Sequence, residues 1–400
     1  MVVKKHVLFI VENNSVPRDE RVWSEAMTLK QLGYDVSIIA PCNTRVKERC
    51  ADDLVVDGIN IYQHPMPIEG EGIIGLILEY VNALFWEALL SFRIFLTHRF
   101  HAIHAANPPD NIFLIALPYK LFGVKFIFDH HDICPENFVA KFGKKGAFHA
   151  ILRLLEWLTF KNADLVISTN ESYKKIAIER GGKKAKDVFV VRNGPDLENI
   201  KAKNPNYEIK NGFKYLIGYV GVIGQQEGIE NLLKSVEYIV KVKKITDILF
   251  VVIGKGPAWK QVTQQCTSMG LDGNIRFTGF IPDQELWDIL AATDACVNPE
   301  FGNEFTDRST MIKIMEYMTF GKPIVMFHTT EGEVSAGGSA IYVRTNSEIE
   351  FAEALLGLLD DPDKRIKMGD LGRQRIVEQL CWQKQKINLE KAYNHLFVKL

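Results

Sequence analysis

The stretch Asp307-Arg-Ser-Thr-Met-Ile-Lys-Ile-Met-Glu-Tyr-Met-Thr-Phe-Gly-Lys-Pro323 carries the most information in the chain. Met311, Ile314, Met315 and Met318 recur at helical spacing as a core-facing stripe, with Lys313, Glu316, Tyr317 and Phe320 on a second face. Ser309 reads as the N-cap, and Gly321 followed by Pro323 as the stop. Arg308 and Lys313 put cations at the end where the helix dipole disfavours them by about 0.3–1 kcal/mol. A phosphate bound there reverses the sign, because it meets free backbone N–H groups and both cations. Glu316, one turn deeper, could accept from two sugar hydroxyls. The plainer alternative is a surface Lys–Glu pair at i,i+3 beside an incidental arginine.

Away from this helix, short β-rich runs alternate with helical patterns in both directions. The first-half strand candidates are His6–Val11, Val36–Ala40, Ala102–Ala106, Lys125–Phe128, Leu165–Ser168 and Val188–Arg192. In the second half they are Tyr215–Gly221, Ile248–Ile253, Ile275–Thr278, Ala295–Asn298, Pro323–Phe327 and Ala340–Val343. Several are continuous apolar runs, the mark of parallel strands covered by helices on both faces. The class is α/β, in two Rossmann-like domains facing across a cleft. The polar stretch Lys201–Gly212 reads as the boundary. The expected division is therefore 1–205, 206–380 and a C-terminal helix over 381–400 that packs back on the first domain. Ligands of open α/β sheets bind beyond the carboxyl ends of the strands, so a ligand is expected between the domains.

Bulk properties exclude several classes. Four hundred residues suit two domains. Forty-eight basic residues against 49 acidic ones leave a net charge of −1, without the basic excess of a nucleic-acid binder. The six cysteines form no C-x-x-C pair, which argues against a zinc ribbon, and scattered thiols fit a reducing cytosol. The apolar run Val7–Val11 is cut by Glu12 too soon for a signal peptide. Ile73–Leu96 is interrupted by Glu79, Glu87 and Arg93, so one or two amphipathic helices are expected there rather than a membrane span. Asp361-Pro-Asp363 reads as a turn rather than a metal motif.

Segment Ser309–Val325 resembles the donor-binding helix of family 4 retaining glycosyltransferases, which have the GT-B fold. The resemblance runs in order along the chain. It takes in Pro17–Ala26, Leu32-Gly-Tyr-Asp-Val36, Asn107-Pro-Pro-Asp110, Phe128–Glu136, Ala163–Ser168 and Val191-Arg-Asn-Gly194. It continues through Ile253-Gly-Lys-Gly256, Phe277-Thr-Gly-Phe280 and Glu331–Gly337.

The resemblance implies that Glu316 binds the ribose of a donor nucleotide and that Gly221, Gly254, Ser309 and Thr310 line the donor. A second family glutamate, eight positions earlier, is replaced by Arg308, with Glu304 or Asp307 as candidate substitutes near the donor sugar. The family's arginine and lysine after the first strand of the second domain are missing from Gly221-Val-Ile-Gly-Gln-Gln-Glu-Gly228. Arg308 and Lys313 are the expected replacements at the diphosphate, so the two departures form one compensated change. The loop Asn13–Arg18 lacks the Gly-Gly pair of relatives. His131, in Asp129-His-His-Asp132, would approach the transferred sugar or the acceptor, a structural His–Asp pair being the alternative. Asp19, Arg21 and Asp132 fall on the acceptor side. No metal ligand set and no cofactor are expected.

The expected reaction is retaining transfer from a UDP- or GDP-linked sugar to a hydroxyl of a glycan or lipid-linked acceptor in surface polysaccharide synthesis. The oxocarbenium-like sugar and departing phosphate call for fixed cations and helix N–H groups, and for closure over the donor. The basic run Lys141-Phe-Gly-Lys-Lys145 before the apolar helix Ala147–Lys161 suits an anionic membrane surface, with ordinary helix packing as the alternative. Cytoplasmic location with peripheral contact at the inner membrane face follows. A nucleotide-sugar epimerase and a non-catalytic partner subunit remain as rivals. A dehydrogenase does not, because no G-x-G-x-x-G follows the first strand.

Overall fold

The computed structural model describes residues 4–42, 53–65, 72–201 and 205–398. The chain divides into two compact units, Met1–Asn193 with Gln385–Leu400, and Gly194–Lys384.

The first unit contains β1 (His6–Ile10), α1 (Glu20–Gln31), β2 (Asp35–Pro41), β3 (Leu54–Val56), β4 (Ile59–His64), α2 (Gly72–Thr97), β5 (Ala102–Ala106), α3 (Phe113–Lys120), β6 (Lys125–His130), α4 (Cys134–Phe142), α5 (Ala147–Asn162), β7 (Leu165–Ser168), α6 (Glu171–Glu179) and β8 (Val188–Val190). Its sheet runs β3-β4-β2-β1-β5-β6-β7-β8, and among the described strands β3 alone is antiparallel to its neighbour. β1 and β5 are buried at every position, which is why their sequences read as continuous apolar runs. The β3–β4 hairpin was not expected. Its signal was Asp57-Gly58, whose positive φ angles of 47° and 69° suit a tight two-residue turn.

The second unit contains β9 (Tyr215–Val220), α7 (Ile229–Glu237), β10 (Ile248–Ile253), α8 (Trp259–Ser268), β11 (Ile275–Gly279), α9 (Asp283–Ala292), β12 (Ala295–Asn298), α10 (Ile312–Thr319), β13 (Ile324–Phe327), α11 (Thr330–Ala336), β14 (Ala340–Val343), α12 (Glu348–Leu359) and α13 (Pro362–Arg375). All strand pairs in β11-β10-β9-β12-β13-β14 are parallel. Phe250, Val252, Val297 and Phe327 join helix residues such as Leu232 and Phe351 in its core. In each sheet the strand order reverses once, beside β1 and beside β9, and loops past the strand ends there are where such sheets take ligands.

The last helix, α14 (Trp382–Val398), belongs to the first unit from Gln385 onward, where Tyr393 Oη lies 2.8 Å from His104 Nδ1. The structural division falls after Asn193, and Tyr207–Lys210 in the expected linker is a short 3₁₀ turn of the second unit. Residues 202–204 of that linker, and Cys50, lie outside the described residues. Asp361 caps α13 by accepting from Lys364 N, so Asp361-Pro-Asp363 opens a helix. Cys134, Cys266, Cys296 and Cys381 are free and buried, whereas Cys42 is disulfide-bonded, which departs from the expected set of scattered thiols. Ile73–Leu96 forms one helix, and no helix among the described residues is long and apolar enough to cross a membrane.

Candidate functional site

The helix expected to be capped by Ser309 begins two residues later. Met311 is its N-cap and makes no side-chain cap bond. Ser309 instead closes a turn, its hydroxyl donating to Phe305 O at 2.8 Å, which corrects its assignment as the cap. Asp307 holds the neighbouring chain, accepting from Thr330 N at 2.7 Å and from Thr330 Oγ1 at 2.9 Å. Those bonds tie down the turn over residues 304–308, and the helix starts only at Ile312. The stop is as expected: Gly321 takes φ 64° just past the last turn.

Lys313 is buried at the first turn of α10 and ion-paired on two sides. Its Nζ donates to Glu227 Oε2 at 2.8 Å, to Tyr219 Oη at 3.3 Å and to Glu300 Oε1. Burial opposes the charge of Lys313, but Glu300 and Glu227 outweigh it and hold its pKa well above normal. Burial pushes Glu300 up to about 7 even though Lys313 pulls it down, because one cation faces two carboxylates. Lys313 is therefore not the uncommitted cation expected of a diphosphate ligand; its charge is already matched inside the unit.

Two glycines make room for this arrangement at the carboxyl ends of β9 and β10. A methyl group on Gly221, at φ 152°, would lie 3.2 Å from Lys313 Cε. One on Gly254, at φ 124°, would lie 1.9 Å from Gly221 O, so the backbones approach too closely for any side chain. Tyr317 fixes the helix onto the sheet, its hydroxyl accepting from Val220 N at 2.9 Å and donating to Val297 O at 3.3 Å. Lys313 thus reaches the loop after β9 that lacks the family's cations. Glu316 is half-buried one turn further along α10, Thr310 and Arg308 are half-buried ahead of it, and Glu304 is exposed. Asp307 is committed to Thr330, which corrects its assignment as a carboxylate free to face the sugar. Glu300, Glu227 and Tyr219 were missed by sequence reasoning. Glu300 lies two residues past β12, at the sheet end where sites form, and that position was the available signal.

In the first unit, His131 follows β6, with its Nε2 2.7 Å from Arg21 Nε and 2.5 Å from Asp129 Oδ2. Arg21 is buried, and its guanidinium also bonds Val191 O at 2.7 Å and Asn193 Oδ1 at 2.5 Å. It pairs with Glu25 at 3.1 Å and with Asp129 at 2.8 Å. Burial would raise the Asp129 pKa, but Arg21 and His131 reverse this and hold it well below normal, while burial raises Glu25. Glu25, His104 and Asp129 are close enough together to hold a cation, and the Arg21 guanidinium already fills that role. Arg21 therefore organises the interior and does not face an acceptor, a correction that follows from where its donors point. Asp19 caps α1 by accepting from Val22 N at 3.1 Å. Asp132 accepts from Ile133 N at 2.9 Å and Asn137 Nδ2 at 2.7 Å, so both of these acceptor-side candidates have structural duties.

Two Rossmann-like units, the second with a lysine, a glutamate and glycine-walled strand ends gathered at its switch point, define the GT-B class of fold. Residues 20–194 match the family model described as glycosyl transferase 4-like domain, and residues 214–361 match that of glycosyl transferases group 1. The chain belongs to this glycosyltransferase family. An uncharacterized glycosyltransferase of Methanocaldococcus jannaschii is 24% identical over 244 residues, which is 60% of this chain and 60% of that relative's own length. Sucrose-phosphate synthase from Thermosynechococcus elongatus superposes with a TM-score of 0.80 at 16% identity, covering 99% of this chain and 100% of that one. Anabaena HepE in complex with UDP and glucose gives a TM-score of 0.73 at 14% identity, covering 98% and 99%.

Proposed function

We propose that this chain is a retaining glycosyltransferase that moves a sugar from a nucleoside-diphosphate sugar to a hydroxyl of a glycan or lipid-linked acceptor in cell-surface polysaccharide synthesis. The observation that carries the reading is Lys313 lying over Gly221 with Glu316 one turn along the same helix. A diphosphate at the β9 loop would meet the first turn of α10 and draw Lys313 from Glu227, whose side chain is the more exposed of its two carboxylate partners. Protonation of Glu300 would assist that exchange, since its pKa lies near neutrality. Glu316 would accept from the ribose, Arg308 would approach the diphosphate, and Gly221, Gly254, Ser309 and Thr310 would border the donor. The exposed Glu304 remains the candidate carboxylate nearest the donor sugar, and His131 the candidate for the transferred sugar or the acceptor. A UDP-linked donor is favoured because HepE holds UDP and glucose on the same fold. The reaction would need no metal or cofactor, and the protein would work in the cytoplasm at the inner membrane face.

Thermal-shift titration with UDP, GDP, ADP, CMP and dTDP tests the donor site, with Glu316→Ala as control. A shift with one nucleotide that disappears in the variant supports it, and the anomeric configuration of the product, read by NMR, tests retention. No shift with any nucleotide from well-folded protein would overturn the donor site and favour a partner-subunit role.

A further inference from the structure

We infer that the layer formed by α2, α3 and α5 is a docking surface for an anionic lipid bilayer, against which the first unit lies without crossing it. The inference deepens the lipid-linked acceptor reading but stands on surface chemistry alone.

The longest helix carries the first observation. α2 packs Ala83, Leu90, Ile94 and Phe95 inward, yet its outer side presents Leu78, Val81, Phe85, Leu89, Phe92 and Leu96. Their spacing of three and four residues keeps them on one stripe along the helix. Phe85 is 62% exposed and Leu96 69% exposed, so these are not rim residues of the core. An amphipathic helix that buries its other side in protein and shows this one to solvent is left uncovered by the described residues.

The stripe continues sideways. α3 joins α2 through Phe95 and Tyr119, whose ring centres are 5.0 Å apart, and the end of α3 leads to Leu121, 88% exposed, and Phe122. α5 lies beyond, tied to α3 by Lys120 Nζ donating to Asn162 O at 2.6 Å, and it exposes Ile151, Leu154 and Trp157. Three neighbouring helices therefore present apolar side chains over one side of the first unit.

Charge selects the occupant. The whole chain is almost neutral at −1, but the exposed charges carried by these helices and the segments at their ends are of one sign, with Asp53 beside Arg93 as an exposed carboxylate bordering them. Arg99, Lys141, Lys144, Arg153 and Lys161 are exposed, and Arg93 is exposed in a pair with Asp53. Among the described residues 72–99, 113–123 and 141–162 no carboxylate is exposed: Glu87 and Glu156 are buried and Glu79 is half-buried. Trp157 with Lys161 above its ring, at 5.6 Å, provides the amphipathic pairing favoured at lipid headgroups. A second copy of this chain would bring the same cations to the interface, whereas anionic lipid would neutralise them.

Co-sedimentation with vesicles tests this without donor or acceptor. The protein should pellet with phosphatidylcholine vesicles containing about one-third phosphatidylglycerol and largely stay in solution with phosphatidylcholine alone. Phe85→Glu with Leu89→Glu, both on exposed positions, should lower partitioning at least about tenfold at unchanged Tm. Lys141→Glu with Lys144→Glu should remove the preference for anionic vesicles. Failure of the wild-type protein to pellet with either vesicle would overturn the inference. So would a stable dimer that Phe85→Glu with Leu89→Glu splits into monomers, since that would assign the surface to a second copy. The nucleotide thermal shift of the same preparations reads the donor site separately, so either reading can fail alone.

Discussion

The ammonium of Lys313 lies 2.8 Å from Glu227 Oε2, joining the first turn of α10 to the loop after β9 through a partly buried ion pair. Glu300 completes the pair from the end of β12, so three separate segments of the second unit meet at one charge.

Removing that charge should be costly. Lys313→Met leaves Glu300 and Glu227 facing each other without a cation, and about 3–5 kcal/mol of stability should be lost. Adding Glu300→Gln should recover part of it, since it removes one of the two carboxylates. Urea unfolding of the two variants measures both effects, and an unchanged midpoint for Lys313→Met would refute the account.

Gly254→Ala should destabilise the second unit for a different reason. Its backbone sits at φ 124°, and the new methyl would overlap Gly221 O. A cost above the roughly 1–3 kcal/mol of backbone strain alone is expected. Gly273→Ala, where a methyl meets nothing within 4 Å, is the control and should be close to neutral by comparison.

The first unit should lose stability as pH rises. Glu12 and Glu87 are buried carboxyls whose side-chain oxygens have no hydrogen-bond partner among the described residues. Burial pushes Glu12 up to about 9, with Glu87 adding to the effect, and Glu87 up to about 8. A folded pKa raised above the unfolded value of ~4.3 gives stability that is complete below that pH. It is lost as pH climbs toward 8 and 9. Glu12→Gln keeps a neutral group there at every pH. Its melting temperature at alkaline pH should exceed that of the wild type by about 2–4 °C for each kcal/mol retained. Parallel melting curves for the two proteins from pH 5 to 9 would contradict this reading of the sites.

Kinetics should separate the roles proposed for Glu316 and His131. Glu316→Ala should weaken nucleotide binding at least about tenfold if Glu316 takes the ribose as proposed, because such a ligand acts in the ground state as well as the transition state. His131→Ala should lower kcat with little change in donor KM, and its partner Arg21 makes a fold check by circular dichroism necessary. Equal losses of donor affinity in both variants would argue against this division of labour.

Which features could be read from the sequence follows from how local their causes are. The twelve expected strands are all present, because an apolar run bounded by polar turns is a local pattern that a covered parallel sheet imposes. The stop at Gly321 and the stripe of Ile314, Met315 and Met318 in the core were legible for the same reason. The Asp57-Gly58 hairpin was equally local and was overlooked. Long-range partners were not legible. Ser309 looks like a cap until Phe305 O and the anchoring of Asp307 on Thr330 are known. Arg21 looks like a ligand-facing cation until Asp129, 108 positions away, is seen to hold it. Lys313 looks free until the folding of β9 and β12 side by side brings Glu227 and Glu300 to it. The sequence alone determined the periodicities, and with them two α/β sheets and the helix that carries Glu316. Only the tertiary structure decided which charges are already matched, because a charge's partner is set by strand order and not by spacing along the chain.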